Sequence, residues 1–145
     1  MLLGMQHLLR DWQVGDGREE RLATYVTERA RRGDAADAIR VIDEYGCNES
    51  FLINVGDEKG KILDAAIRRA RPRMVLELGA YCGYSALRMA VATPDARITS
   101  IEFSPANADI ARRILDHAGV DNRVTVVSIS YSWTTTRTHT CRTSA

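Results

Sequence analysis

"MVLELGAYCGYSALRMAVA", residues 74–92, changes its period partway along. Met74 to Leu78 is a short, nearly continuous apolar run, the pattern of a strand covered on both faces. Tyr84 to Ala92 places its apolar residues at helical spacing. Between them "GAYCG" (79–83) must turn the chain, and Gly79 and Gly83 supply the backbone freedom for it. Strand, glycine turn and helix together open a parallel α/β unit. Three readings stand for the turn: the phosphate grip of a dinucleotide site, a cradle for some other nucleoside cofactor, or a tight connection only.

Downstream the unit repeats. "RITSIEF" (97–103) reads as a second strand, and Ser104-Pro105 then set a cap and a first helical residue. That helix carries Ile110, Ile114 and Leu115 and closes at Gly119, a left-handed cap. "RVTVV" (123–127) is a third strand. The order β-α-β-α-β, joined by right-handed crossovers, predicts three parallel strands in spatial order 3-2-1. This is the first half of a Rossmann-like α/β fold.

Upstream the chain reads as helical. "REERLATYVTERARR" (18–32) spaces Leu22, Tyr25 and Val26 on one face, and Gly33 stops it. Asp34 caps a second helix carrying Ile39, Val41 and Ile42. "CNESFLINVGD" (47–57) reads as a loop, and Asp57 caps a third helix whose apolar face is Ile62, Leu63, Ala66 and Ile67, ended by Pro72. The opening "MLLGMQHLLRDW" lacks a basic leader and is too short to span a bilayer, so it reads as a helical lead-in. The division expected is one incomplete α/β domain over 1–127, with a helical lead-in 1–73 and a cofactor-binding βαβαβ unit 74–127. Residues 128–145 contain no acidic residue and are more than half Ser and Thr, the composition of a disordered tail. A natural terminus, a frame shift and a truncated product all fit that tail.

Composition narrows the classes. The 145 residues are 45% hydrophobic with a net charge of +1, which points to neither nucleic acid nor a membrane as partner. Cys47, Cys82 and Cys141 form no CxxC or Cys/His pattern, so the reading is a reduced, cytoplasmic protein without disulfide or zinc. Arg31–Arg32, Arg68–Arg69 and Arg112–Arg113 fall late in predicted helices, where they complement the negative dipole end as solvated faces.

The glycines in "GAYCG" are four apart and no third follows, which departs from G-x-G-x-x-G and disfavours a pyrophosphate cradle; a P-loop is excluded by the missing G-K-[ST]. Two carboxylates go further. Glu77 is penultimate in the first strand, and Glu102 stands near the end of the second, where an acidic residue accepts ribose hydroxyls. A carboxylate beside Gly79 repels a pyrophosphate but suits a cofactor bearing a cation. S-adenosylmethionine carries a sulfonium, an amino group and a ribose, and no phosphate. A strand-end ion pair remains the alternative for Glu77, and a structural role the alternative for Glu102.

"NVGDEKGKILDAAI" (54–67) followed by "VLELGAYCGYSALRMA" (75–90) resembles the catechol O-methyltransferase family, its bacterial members in particular, over roughly residues 17–127. The resemblance implies an S-adenosylmethionine-dependent O-methyltransferase acting on a small aromatic acceptor of the catechol type. By it Val55 contacts the methionine end of the cofactor; Glu77, Gly79, Ala80, Tyr81, Tyr84 and Ser85 line the methionine and turn region. Glu102 holds the ribose, Phe103 lies against the adenine, and Phe51 and Ile53 form the apolar wall beside the acceptor. The family often has tryptophan where this chain has Phe51. The family also uses a Mg²⁺ held by two aspartates and an asparagine, and a lysine base, all from the second half of its fold. Nothing after Asp121 is acidic and no lysine follows, so no metal ligand or base can be assigned, and the chain as written is expected to be inactive. The alternative is a non-catalytic module that binds the cofactor or a partner. Self-association through an uncovered sheet edge is a further expectation.

Overall fold

The structure is a computed structural model, and it describes residues 16–129. Five helices precede and interleave three strands: α1 (Arg18–Arg29), α2 (Ala35–Asn48), α3 (Gly56–Ala70), β1 (Met74–Leu78), α4 (Tyr84–Ala92), β2 (Arg97–Glu102), α5 (Pro105–His117) and β3 (Val124–Ser128). Each start has a local cause. The Asp34 carboxylate accepts the Asp37 N–H at 2.9 Å to begin α2. Ser104 does the same for the Asn107 N–H at 3.3 Å, with Pro105 opening α5.

The sheet is parallel throughout, with β2 in the middle. It reads β1-β2-β3, where the sequence reading wrote 3-2-1; the two are one adjacency traversed from opposite edges. Glu77 faces Ser100 across β1–β2, and Glu102 faces Ser128 across β2–β3. Helices α4 and α5 lie on one face of the sheet, and α1, α2 and α3 pack mainly on those two helices. The core joins Leu22 and Val26 of α1, Val41 and Ile42 of α2, Leu87 of α4, Ile114 and Leu115 of α5, and Ile98 of β2.

Several expectations are corrected. β1 is not covered on both faces: Met74, Leu76 and Leu78 are 81%, 65% and 78% exposed. Two successive right-handed crossovers running in the same direction put both helices on the same side of the sheet. Among the described residues nothing lies over the other side. Asp57 does not cap α3, which starts one residue earlier at Gly56 behind Val55; Asp57 sits in the first turn and pairs with Lys61 at 2.8 Å. The expected apolar face of α3 is only half used. Leu63 and Ile67 pack inward, while Ile62 is 71% exposed and Ala66 is exposed, because α3 meets the rest of the fold chiefly through α4. Helix α2 continues two residues past Gly46 into the stretch read as loop. At the far end, Ser128 belongs to β3 and the Ile129 N–H reaches the Glu102 carbonyl at 3.0 Å, so ordered pairing runs past residue 127. The lead-in helix before Asp16 and the tail after Ile129 lie outside the described residues.

Candidate functional site

The carboxyl ends of the three strands converge on "GAYCG". The Gly79 N–H continues the ladder to the Ile101 carbonyl at 2.8 Å, and the Gly83 N–H closes the turn on the Ala80 carbonyl at 2.8 Å. Gly79 and Gly83 have φ of +92° and +82°, and Tyr81 between them is also left-handed at +49°. For a residue with a β-carbon that conformation is costly and has to be held by its surroundings. Two carboxylates hold it. The Tyr81 N–H donates to Glu102 Oε2 at 2.7 Å, and the Tyr81 hydroxyl donates to Glu19 Oε1 of α1 at 3.0 Å.

Glu102 is 4% exposed, and its second oxygen accepts the Ser104 N–H at 2.9 Å. One carboxylate therefore ties the β1–α4 turn to the β2–α5 turn. Each oxygen has taken one N–H and keeps a further acceptor position. Beside it opens a cavity of about 430 Å³, bounded by Ile53, Leu78, Gly79, Tyr81, Ile101, Glu102, Phe103, Asn107 and Ile129. That volume falls in the range of small-molecule sites. A β-carbon built on Gly79 would meet nothing within 4 Å, so the bare backbone faces open space. Among the described residues Glu102 is the only charged one in the lining, and none of them is a cation that would receive a pyrophosphate. The site suits a ligand with hydroxyl donors for Glu102 and a flat ring for Phe103, Ile101 and Ile129.

Of the residues expected from sequence, Ile53, Gly79, Tyr81, Glu102 and Phe103 meet around this cavity. The others do not line it. Glu77 and Ser85 are instead brought to each other: the Glu77 carboxylate accepts the hydroxyls of Ser85 and Ser100 on the covered face of the sheet. Burial pushes the Glu77 carboxyl above its usual range, against the pull of the two hydroxyls. Ala80 is buried in the core, and Val55 packs against the core from its edge. Phe51 is 73% exposed. Tyr84 is enclosed away from the cavity, where its hydroxyl donates to Asp43 Oδ1 at 2.6 Å and accepts Arg88 Nη1 at 2.8 Å. Arg88, 7% exposed, also pairs with Asp64 at 2.7 Å, so this network joins α2, α3 and α4. It serves packing: the helical period of α4 turns Tyr84 inward to α2 and α3.

Leu78, Ile101, Asn107 and Ile129 were missed. Leu78 and Ile101 are register partners at the strand ends, a signal available once the two strands are aligned. Ile129 falls in the stretch read as disordered. Among the described residues no group of three or more His, Cys, Asp and Glu side chains is placed to hold a metal ion. Glu77 is taken up by two hydroxyls and Glu102 alone is a single carboxylate, so the described residues do not fit a Mg²⁺ site.

A parallel α/β half whose glycine turn faces an acidic residue at the end of β2 matches the first half of a Rossmann-like methyltransferase fold. The family model described as O-methyltransferase matches residues 42–132. The chain belongs to that O-methyltransferase family. It is 51% identical over 127 residues to a Mycobacterium tuberculosis protein named as a probable O-methyltransferase, covering 88% of this chain and 54% of that one. It is 41% identical over 124 residues to mouse catechol O-methyltransferase, covering 85% and 47%. Among solved structures it resembles the O-methyltransferase TomG of Streptomyces achromogenes, in complex with SAM, at a TM-score of 0.53 and 26% identity, over 79% of this chain and 51% of that one. The chain thus spans about half the length of the relatives it matches.

Proposed function

We propose that this chain forms the S-adenosylmethionine-binding part of an O-methyltransferase whose acceptor is a small aromatic of the catechol type. The observation that carries the reading is Glu102: a buried carboxylate, pinned by two backbone N–H groups and keeping acceptor positions free, at a cavity with no cation among its described residues. Glu102 takes the ribose hydroxyls, Phe103 and Ile101 receive the adenine, and the bare backbone of Gly79 lets the ligand lie close. Ile53 stands at the acceptor side. The SAM held by TomG and the catechol specificity named for the mouse relative support the cofactor and the acceptor in turn.

When bound, the cofactor would supply a methyl group on a sulfonium, an electrophile for the acceptor oxygen. The protein's part is alignment, which contributes on the order of 7–11 kcal/mol in well-oriented systems. A second reading, a cofactor-binding module without turnover, is favoured by the lack of a metal-ligand cluster among the described residues. We take binding without turnover as the behaviour of the 145-residue chain. The expected outcome with isotope-labelled cofactor is saturable binding and no methylation of a catechol in the presence of Mg²⁺. Turnover would overturn the second reading, and absence of binding would overturn both.

The uncovered sheet face bears on partners. Leu76, Leu78, Ile101 and Val127 line it, and β1 has no strand partner on its outer edge among the described residues. Such an edge is a template for pairing with another chain, and we expect self-association there. No helix among the described residues is long and apolar enough to cross a membrane.

A further inference from the structure

At the opposite end of the sheet from the cofactor cavity, where the strands begin, lies a groove of about 840 Å³. Arg68 and Arg71 stand on its α3 wall, and Arg73 and Arg97 stand at the starts of β1 and β2. All four are exposed, and Asp95 is the one carboxylate among the described residues of the lining. Elsewhere among the described residues the arginines are engaged. Arg18, Arg31, Arg32, Arg40, Arg88, Arg112 and Arg113 meet carboxylates. Arg21 also pairs with Asp16, and Arg29 lies over the Tyr25 ring at 4.2 Å. Arg123 is held instead by the Ala90 and Thr93 carbonyls, which leaves the guanidiniums of Arg68, Arg71, Arg73 and Arg97 of the groove, and of their neighbour Arg69, without a partner among the described residues.

Helix dipoles are the simplest competing cause, since α3 and α4 both end here. Their carbonyl ends together contribute roughly one negative charge. One of them is already met: Arg123 donates to the Ala90 and Thr93 carbonyls at 2.8 and 3.3 Å, closing the end of α4. Four guanidiniums set against Asp95 and two helix ends leave an excess of about two positive charges. Arg71 moreover holds a left-handed backbone, φ +45°, at the helix end where glycine is usual.

We propose that this groove is a second binding site, for a small polyanion carrying at least two phosphoryl groups. The planar guanidinium fork matches phosphoryl oxygens in pairs. The two arginine pairs on separate walls supply one anchor for each group, and the concave shape favours a small molecule over a flat surface. The site is independent of the cofactor cavity, which lies a strand's length away, roughly 17 Å at 3.3 Å per residue.

The test is calorimetric titration of the full 145-residue chain with tripolyphosphate at low ionic strength. We expect saturable binding at one site, at least tenfold tighter than orthophosphate and weakened as salt is added. Arg71→Gln with Arg97→Gln should weaken it at least tenfold, while Arg40→Gln on α2 leaves it unchanged. Arg68→Gln with Arg73→Gln provides a second pair, and circular dichroism shows which variants are folded. Saturating S-adenosylhomocysteine should not displace tripolyphosphate. Parent-like affinity in a folded double variant would overturn the proposal. So would displacement by S-adenosylhomocysteine, or tighter binding through the same arginines of an acidic peptide, duplex DNA or anionic vesicles.

Discussion

Replacing Glu102 by Gln keeps the side chain's size and removes its charge and one acceptor. In the parent, one oxygen accepts the Tyr81 N–H at 2.7 Å and the other the Ser104 N–H at 2.9 Å. The glutamine oxygen can serve one of these donors, and its amide then faces the other, donor against donor. The loss is one hydrogen bond to a charged group, about 1.5–3 kcal/mol. For a chain of this size that lowers Tm by roughly 5–12 °C. Cofactor affinity should fall separately. The ribose hydroxyls lose a charged acceptor, again about 1.5–3 kcal/mol, which is about 10- to 150-fold in Kd. Glu102→Ala goes further, leaving both buried N–H groups unsatisfied at about 1–3 kcal/mol each. Differential scanning fluorimetry reads the first effect. Calorimetry with S-adenosylmethionine, well below the variant's Tm, reads the second. A Glu102→Gln chain that melts and binds like the parent would refute both the clamp and the ribose assignment.

Further outcomes are expected. Gly79→Ala and Gly83→Ala each force a β-carbon into a left-handed backbone, at roughly 1–2 kcal/mol of stability; only Gly79→Ala should also lose cofactor affinity, tenfold or more, and equal affinities would contradict the close approach. Burial raises the Glu77 carboxyl in the folded chain, so its contribution to stability is complete below the unfolded carboxylate pKa and is lost as pH rises through the raised value. The Tm of Glu77→Gln should therefore gain on the parent as pH rises above the ordinary carboxylate range, and parallel Tm–pH profiles would remove the burial argument. Arg88→Met breaks the pair with Asp64 and removes the N–H donated to the Tyr84 hydroxyl, leaving the Tyr84–Asp43 bond without its cation. The cost should be on the order of 3 kcal/mol, the low end for a buried pair because Asp64 keeps partial solvent contact; an unchanged melt would show the network to be idle. Light scattering should find the purified chain self-associated, with a Lys substitution at Leu76 reducing it; a monodisperse parent would contradict the exposed edge.

The β-α-β-α-β half was legible because its signals are local: an apolar run, a glycine turn, and Ser104-Pro105 at a helix start. Glu102 was legible for a different reason, since its distance along β2 fixes it at the strand end. What escaped depends on which elements meet. Tyr81 is pinned by Glu19, sixty-two residues away, and no local pattern announces that contact. The burial of Tyr84 follows from α2 and α3 lying over α4, while the turn region around it suggested a ligand. The apolar helix face and the apolar strand run marked Ile62 and Leu76 as covered without showing whether anything lies over them. Arg68 and Arg69 read as a solvated helix end, because Arg97 joins that end only once β1 and β2 are paired.

The central claim, that the strand ends form a cradle for S-adenosylmethionine, is tested most directly by equilibrium binding of that cofactor to the 145-residue chain, with circular dichroism to show that it is folded. Saturation at one site per chain, displacement by S-adenosylhomocysteine and indifference to millimolar NAD are expected. A folded chain that does not saturate, or one from which NAD displaces the cofactor, would contradict that claim.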